Sequence, residues 1–390
     1  MRHLNVAVVA ALAAVLWAAP AAALQGVTDT EIVLGSHQPL SGPVATWGTA
    51  VANGLRMRAD EANDAGGING RKIRLIIEDT GYQQDKAAQA GDKLLERDKI
   101  FAMVGGLGTP MNMVILPRQM EKGVPNLFPF TAAQEMYEPL HKYKFSSALP
   151  YYNQARAMVS YFAKTKGYKK FASLYQDDDF GLNVVKGVRD QVKAMKLELV
   201  SETTYKRGAR EFGSQIAQMK ATGAEAVILG TIIAETIGAK VEARKAGWTV
   251  DMGVTTAGFT SEVAELAKGA SDGLYGTGQV DIPYEDTAKG DTKKWVERYK
   301  AKFNTAPTVQ ALLGYGSMDI AVEGLKRAGK DLTADSLSKA LEGIKNFRSF
   351  TNEAPVTFSA ENHLGVPEKE GIILAQVKGT RWQRVQVISY

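Results

Sequence analysis

Apolar positions recur along this chain in two rhythms, short β-rich runs and longer stretches with apolar residues three and four apart, and the two rhythms alternate. Glu31 to Gly35 reads as a strand. Residues 44 to 64 read as a helix, with Trp47, Val51, Leu55 and Ala62 at helical spacing, ended by the turn Gly66-Gly67-Ile68-Asn69-Gly70. Then come a strand (Lys72 to Glu78), a helix (Asp85 to Asp98), a strand (Phe101 to Gly105), a helix (Met111 to Lys122) and a strand (Val124 to Phe128). A second unit starts with a helix near Tyr151 and a strand at Lys170 to Tyr175. It repeats the alternation through Phe180 to Lys196, Leu197 to Thr203, Glu211 to Thr222 and Ala226 to Gly230. Further helices are expected near Lys293 to Phe303, Val309 to Ala328 and Ala334 to Gly343, and strands at Val356 to Ser359 and Gly371 to Val377. This is the pattern of parallel sheets covered by helices, and two such units in series predict an α/β protein of two doubly wound lobes. No low-complexity linker separates them, so the chain is expected to cross between the lobes more than once.

The N-terminus changes the expected compartment. Met1-Arg2-His3, an apolar run from Val6 to Trp17 and Ala21-Ala22-Ala23 follow the charged, hydrophobic and small-residue order of a secretory signal peptide, with cleavage expected after Ala23. The run is short of the roughly 20 residues a spanning helix needs. No Cys follows to accept a lipid, so the mature protein is expected to diffuse freely in the periplasm. Without any Cys, stability must come from buried apolar area. With 47 basic against 42 acidic residues the net charge is +5, but the basic residues are dispersed, which argues against nucleic acid as a partner.

In open parallel sheets ligands sit beyond the carboxyl ends of the strands, where loops and helix N-termini converge. The loops there read Ser36 to Pro43, Gly106 to Pro110, Pro129 to Gln134, Gln176 to Gly181, Thr231 to Ile233 and Thr255 to Gly258. Ser41-Gly42-Pro43 opens a helix, and its free N–H groups suit either an anion or an ordinary cap. Trp47, one turn on, suits a pocket wall or the core. The Gly105 to Pro110 run lacks dinucleotide-fingerprint spacing, so no nucleotide cofactor is expected; it lets backbone approach a ligand, with the Thr109 hydroxyl free to donate. The four His, at 3, 37, 141 and 363, do not form a metal-ligand cluster in sequence, and no hydrolase signature appears, so neither a metal nor catalysis is expected. Asp177-Asp178-Asp179 reads as a solvated loop.

At these loops the sequence resembles the leucine/isoleucine/valine-binding type of periplasmic receptor, over nearly the whole mature chain. The carriers are Ser41-Gly42-Pro43 with Trp47, Asn63 to Gly70, Gly105 to Pro110, Val124-Pro125 leading into Thr131-Ala132-Ala133, Phe180-Gly181 and Gly314-Tyr315. The resemblance implies two lobes joined by three crossovers, residues 24–149 and 281–353 in the first and 150–280 and 354–390 in the second, with the ligand between them. It also implies an ABC importer permease as partner, a monomer, no cofactor and no enzymatic activity. Thr109, Thr131, Ala133 and Gln134 match groups that hold a ligand carboxylate, Trp47 packs on the ligand's apolar part, and Tyr152, Phe180, Ile232 and Thr256 complete the implied set.

The chain departs from the amino-acid pattern where it has Thr255-Thr256-Ala257 in place of a carboxylate for the ligand ammonium, and Phe180 and Ile232 in place of Tyr. A disulfide common in that family is also missing. An unpaired buried ammonium costs several kcal/mol. The expected ligand is therefore an aromatic or aliphatic acid, with an amino acid as the alternative if one of Asp177, Asp178 and Asp179 supplies the counter-charge. A periplasmic α/β enzyme is the competing class.

Overall fold

The computed structural model describes residues 25–367, 369 and 371–390. The expected signal peptide and its cleavage point lie outside them. In chain order the first elements are β1 (Glu31–Gln38), α1 (Ala45–Asp64), β2 (Lys72–Asp79), α2 (Gln84–Asp92), β3 (Ala102–Val104), α3 (Thr109–Glu121), β4 (Asn126–Leu127) and β5 (Lys144–Phe145). Their strands form a five-stranded parallel sheet in the order β2-β1-β3-β4-β5.

The chain then passes to α4 (Tyr151–Tyr161), β6 (Lys170–Gln176), α5 (Asp179–Ala194), β7 (Glu198–Tyr205), α6 (Gly213–Ala221), β8 (Ala226–Gly230), α7 (Ile233–Lys245), β9 (Asp251–Val254), α8 (Ser261–Leu266) and β10 (Tyr275–Gly278). It returns to the first sheet's side as α9 (Gly290–Phe303), α10 (Val309–Ala328) and α11 (Ala334–Glu342), and ends in β11 (Ile372–Lys378) and β12 (Arg381–Ile388). The second sheet has seven strands, β12-β11-β10-β9-β8-β6-β7, with only β11 and β12 antiparallel to their neighbours. Three crossovers therefore join two α/β lobes.

The return of α10 to the first lobe has a local cause. A Cβ on Gly54 of α1 would stand 2.1 Å from the Ala311 carbonyl oxygen, and one on Gly314 of α10 would stand 2.6 Å from that of Val51. Only glycine on both helices lets the two backbones touch; an added methyl group at either would force them apart, and overpacking of this kind costs about 1–3 kcal/mol. This contact carries α10 to the cleft.

Three expectations change. Residues 354–366, expected in the second lobe, pack on the first sheet: Phe358 lies 5.8 Å from Phe128 and 5.6 Å from Phe145, His363 stacks on Phe145 at 3.9 Å, and Gly365 N–H donates to Ser146. The apolar residues read there as a strand are core anchors, and Val356 to Ser359 makes only isolated bridges, with Phe347 and Asn362. The helix expected to run to Asp98 changes to π geometry over Lys93–Arg97.

Candidate functional site

The strands of both sheets end at one cleft, and the loops after β2, β3, β4, β5, β6, β8, β9 and β10 supply most of its lining. Counted out to its open mouth, the space between the lining residues is about 780 Å³. Among the described residues that line it, none is Asp, Glu, Lys, Arg or His.

Its polar end is built on the first lobe. Gly108, at φ +100°, turns the chain so that Thr109 opens α3. The Thr109 and Thr131 hydroxyls lie 2.6 Å apart, both buried, so one proton serves their mutual bond and the other is left to donate. The Tyr151 hydroxyl joins them through Thr131 and the Ala132 N–H, and burial pushes its pKa up to about 12, so it stays protonated. Hydroxyl groups at a helix N-terminus form a neutral anion site, because the helix dipole and N–H groups favour negative charge there.

The body of the cavity is apolar. Trp47, 6 % exposed, meets Phe130 edge-on at 6.4 Å, and Phe180 meets Tyr151 edge-on at 4.9 Å. Ile232 and Leu313 complete this part. Thr256 is tied to the second lobe: its N–H donates to Gln154 Oε1 at 2.7 Å and its hydroxyl accepts from Gln154 Nε2 at 3.1 Å.

Of the residues expected from sequence, Trp47, Thr109, Thr131, Phe180, Ile232 and Thr256 line this one cavity. Ala133, Gln134 and Tyr152 do not. The Ala133 N–H faces the Thr131 hydroxyl at 3.4 Å, and the Gln134 N–H is given to Asn183 Oδ1 at 3.0 Å across the cleft. Tyr152 points outward to Asp190, at 2.8 Å, while its neighbour Tyr151 turns inward. Tyr82, Tyr151, Ser147, Gln279 and Asn352 line the cavity without having been singled out. Tyr82, in the left-handed region at φ +60°, sits in a loop whose only sequence signal was its place after a strand.

At Ser41-Gly42-Pro43, which suited either an anion or an ordinary cap, the anion is the chain's own Asp79. Although burial opposes it, the Asp79 carboxyl is held below its ordinary pKa by the Ser41 hydroxyl and the N–H groups of Gly81, Leu40 and Ser41. The Asp177 to Asp179 loop is also committed elsewhere. Asp177 pairs with Lys206. Asp178 caps α5 and pairs with Arg207 at 2.9 Å, and Arg207 in turn lies over the Tyr82 ring and donates to the Tyr82 carbonyl at 3.3 Å. Burial raises the Asp179 carboxyl, and none of the three lines the cavity. Among the described residues no three His, Cys, Asp or Glu form a metal-binding group.

Two α/β lobes closing on one neutral cleft define a two-lobed solute receptor. The family model for periplasmic binding proteins matches residues 31–381, and the chain belongs to that family. It is 25% identical over 321 residues to an amino acid binding protein of Pseudomonas aeruginosa, covering 81% of this chain and 83% of that one. A leucine-, isoleucine-, valine-, threonine-, and alanine-binding protein of the same organism is 23% identical over 332 residues, covering 85% and 84%. Among solved structures, a branched chain amino acid ABC transporter protein from Thermus thermophilus with bound valine superposes with TM-score 0.83 at 18% identity, covering 93% of this chain and 97% of that one. A fatty acid ABC transporter substrate-binding protein from Thermomonospora curvata gives TM-score 0.81 at 21% identity, covering 94% of each. Among the described residues no helix is long and apolar enough to cross a membrane.

Proposed function

We propose that this protein is the periplasmic receptor of an ABC importer and captures, as a monomer, a small acid with an aromatic or aliphatic body and no ammonium group. The observation that carries this reading is that no charged side chain is found among the described residues that line the cleft. A carboxylate finds neutral donors at Thr109, Thr131 and Tyr151, whereas an ammonium buried there meets no charged side chain among the described lining residues and costs several kcal/mol. The apolar body packs between Trp47 and Phe180 as the lobes close, and the closed form is what the permease recognises.

The names of the relatives favour a second reading, an α-amino acid receptor, in which the carbonyl and hydroxyl oxygens of Thr256, Gln279 and Asn352 hold the ammonium without a full charge. A thermal-shift screen of amino acids, aromatic acids and fatty acids separates the two. A ligand at roughly 100 times its dissociation constant adds about 2.7 kcal/mol of stability. Shifts confined to acids support the first reading, shifts confined to amino acids the second, and turnover of any compound points to an enzyme.

A further inference from the structure

Beside Trp47 lies a second, smaller space, an annex with a free volume of about 20 Å³, room for one water-sized group. Trp47, Phe130, Thr256, Gln279 and Leu313 line both spaces, so the annex lies directly beside the apolar part of the main cavity, with these residues as the shared wall. Its far walls are Phe259, Gly278, Val280, Val309 and Gln310. Most polar atoms here are already engaged. The Gln279 amide donates to Asn352 Oδ1 at 2.6 Å and to the Ser147 carbonyl at 3.3 Å, and its own oxygen accepts from the Leu149 N–H at 2.9 Å. Thr256 is bound to Gln154.

Two atoms are left over. Trp47 Nε1, a donor, and Gln310 Oε1, an acceptor, are buried with no hydrogen-bond partner among the described residues. Gln310 is 2 % exposed, so bulk water does not satisfy it. Buried donors and acceptors in native proteins are nearly always paired, and two unmet ones on residues that line one small space point to a group that arrives with the ligand. A hydroxyl is the small group that answers both, accepting from the indole N–H and donating to the amide oxygen. A bare apolar end leaves both unmet.

We infer that the annex is a subsite for the far end of the ligand and that the favoured ligand carries a hydroxyl there, making it a hydroxylated aromatic or aliphatic acid. The inference rests on the acid reading above for the ligand's other end, and the test separates the two.

Titration calorimetry on the unmodified protein compares three matched pairs: benzoate with 4-hydroxybenzoate, hexanoate with 6-hydroxyhexanoate, and phenylalanine with tyrosine. In whichever series binds, the hydroxylated member is expected to be tighter by about tenfold or more, because a site built to bond a hydroxyl rejects the analogue lacking it. Gln310→Leu, which removes the acceptor, and Trp47→Phe, which removes the donor, should each shrink that preference. Equal affinities within the pairs, or a preference unchanged in both variants, overturn the subsite and leave the annex to water alone. Binding of the phenylalanine and tyrosine pair only would sink the acid reading, while the ratio within that pair still judges the subsite. Binding of none of the six overturns the subsite as well.

Discussion

Thr109 and Thr131 share a 2.6 Å hydroxyl contact inside a cleft that has no formal charge, so each proton there has a defined use. Thr109→Val keeps the shape and removes one oxygen. A hydrogen bond to a charged group is worth about 1.5–3 kcal/mol, so ligand affinity is expected to fall about tenfold or more in calorimetry, with Thr109→Ser retaining it. Unchanged affinity in the valine variant would reduce Thr109 to a turn residue. At this scale several residues expected close after a strand end do line the cavity: Thr131, Ile232 and Thr256 lie in such loops, and Thr109 and Phe180 in the first turn of the helices that follow, whereas Ala133 and Gln134 in the same stretch as Thr131 do not. It misled at Tyr152, because neighbours on a helix point about 100° apart and the choice between Tyr151 and Tyr152 depends on where α4 starts, one residue after Pro150. Gln279 and Asn352 had no signal, since they reach the cleft only through the crossovers.

Strand and helix positions were legible where one face or both faces are buried. The wholly buried run of β8 and the long helix α10 match their sequence readings. β10 was missed because its Tyr-Gly-Thr-Gly sequence carries glycines where the Trp382 and Phe259 rings lie against the strand, which removes the usual β-branched signature. β12 was missed because it is an edge strand with a mostly exposed, charged face.

Two elements carry predictions. His37, at the end of β1, is fully enclosed beside Gly106 and Asn112, and burial lowers its pKa from 6.5 to about 4 despite the hydrogen bond to Asn112. The unfolded chain therefore takes up a proton below about pH 6.5 that the folded chain refuses until about pH 4. Stability from this group is complete above pH 6.5 and declines as the pH falls to 4, by about 3 kcal/mol in all. Denaturant titrations of the parent and of His37→Gln across that window should show the parent losing about 3 kcal/mol more than the variant, which keeps the smaller contribution of the half-buried His141; parallel curves would refute the assignment. The second element is the loop after β7. Its Arg207 crosses to the Tyr82 carbonyl and ring, held by Asp178, so it joins the lobes only when they are closed. Arg207→Ala is expected to raise the ligand off-rate by roughly threefold to tenfold while changing the on-rate little, as loss of a part-exposed charged contact does. Stopped-flow kinetics measure both, and an unaltered off-rate would exclude the latch.

Across the whole molecule, the division of labour follows from topology. The first lobe brings hydroxyls at the start of α3, the second brings Phe180, Ile232 and Thr256, and the glycine contact between α1 and α10 seats a crossover segment against both. Both lobes line the cavity, so on the proposed reading capture and closure are one event, and the chemistry of the enclosed space decides what is captured. That space is neutral. Leucine and 4-methylpentanoate are matched in their carboxylate and branched body and differ in the ammonium, so calorimetric titration of both isolates the one group the cleft has no charge to meet. The acid should bind with at least about tenfold higher affinity than leucine, the penalty expected for an unpaired buried cation. Tight binding of leucine with none of 4-methylpentanoate would contradict the assignment.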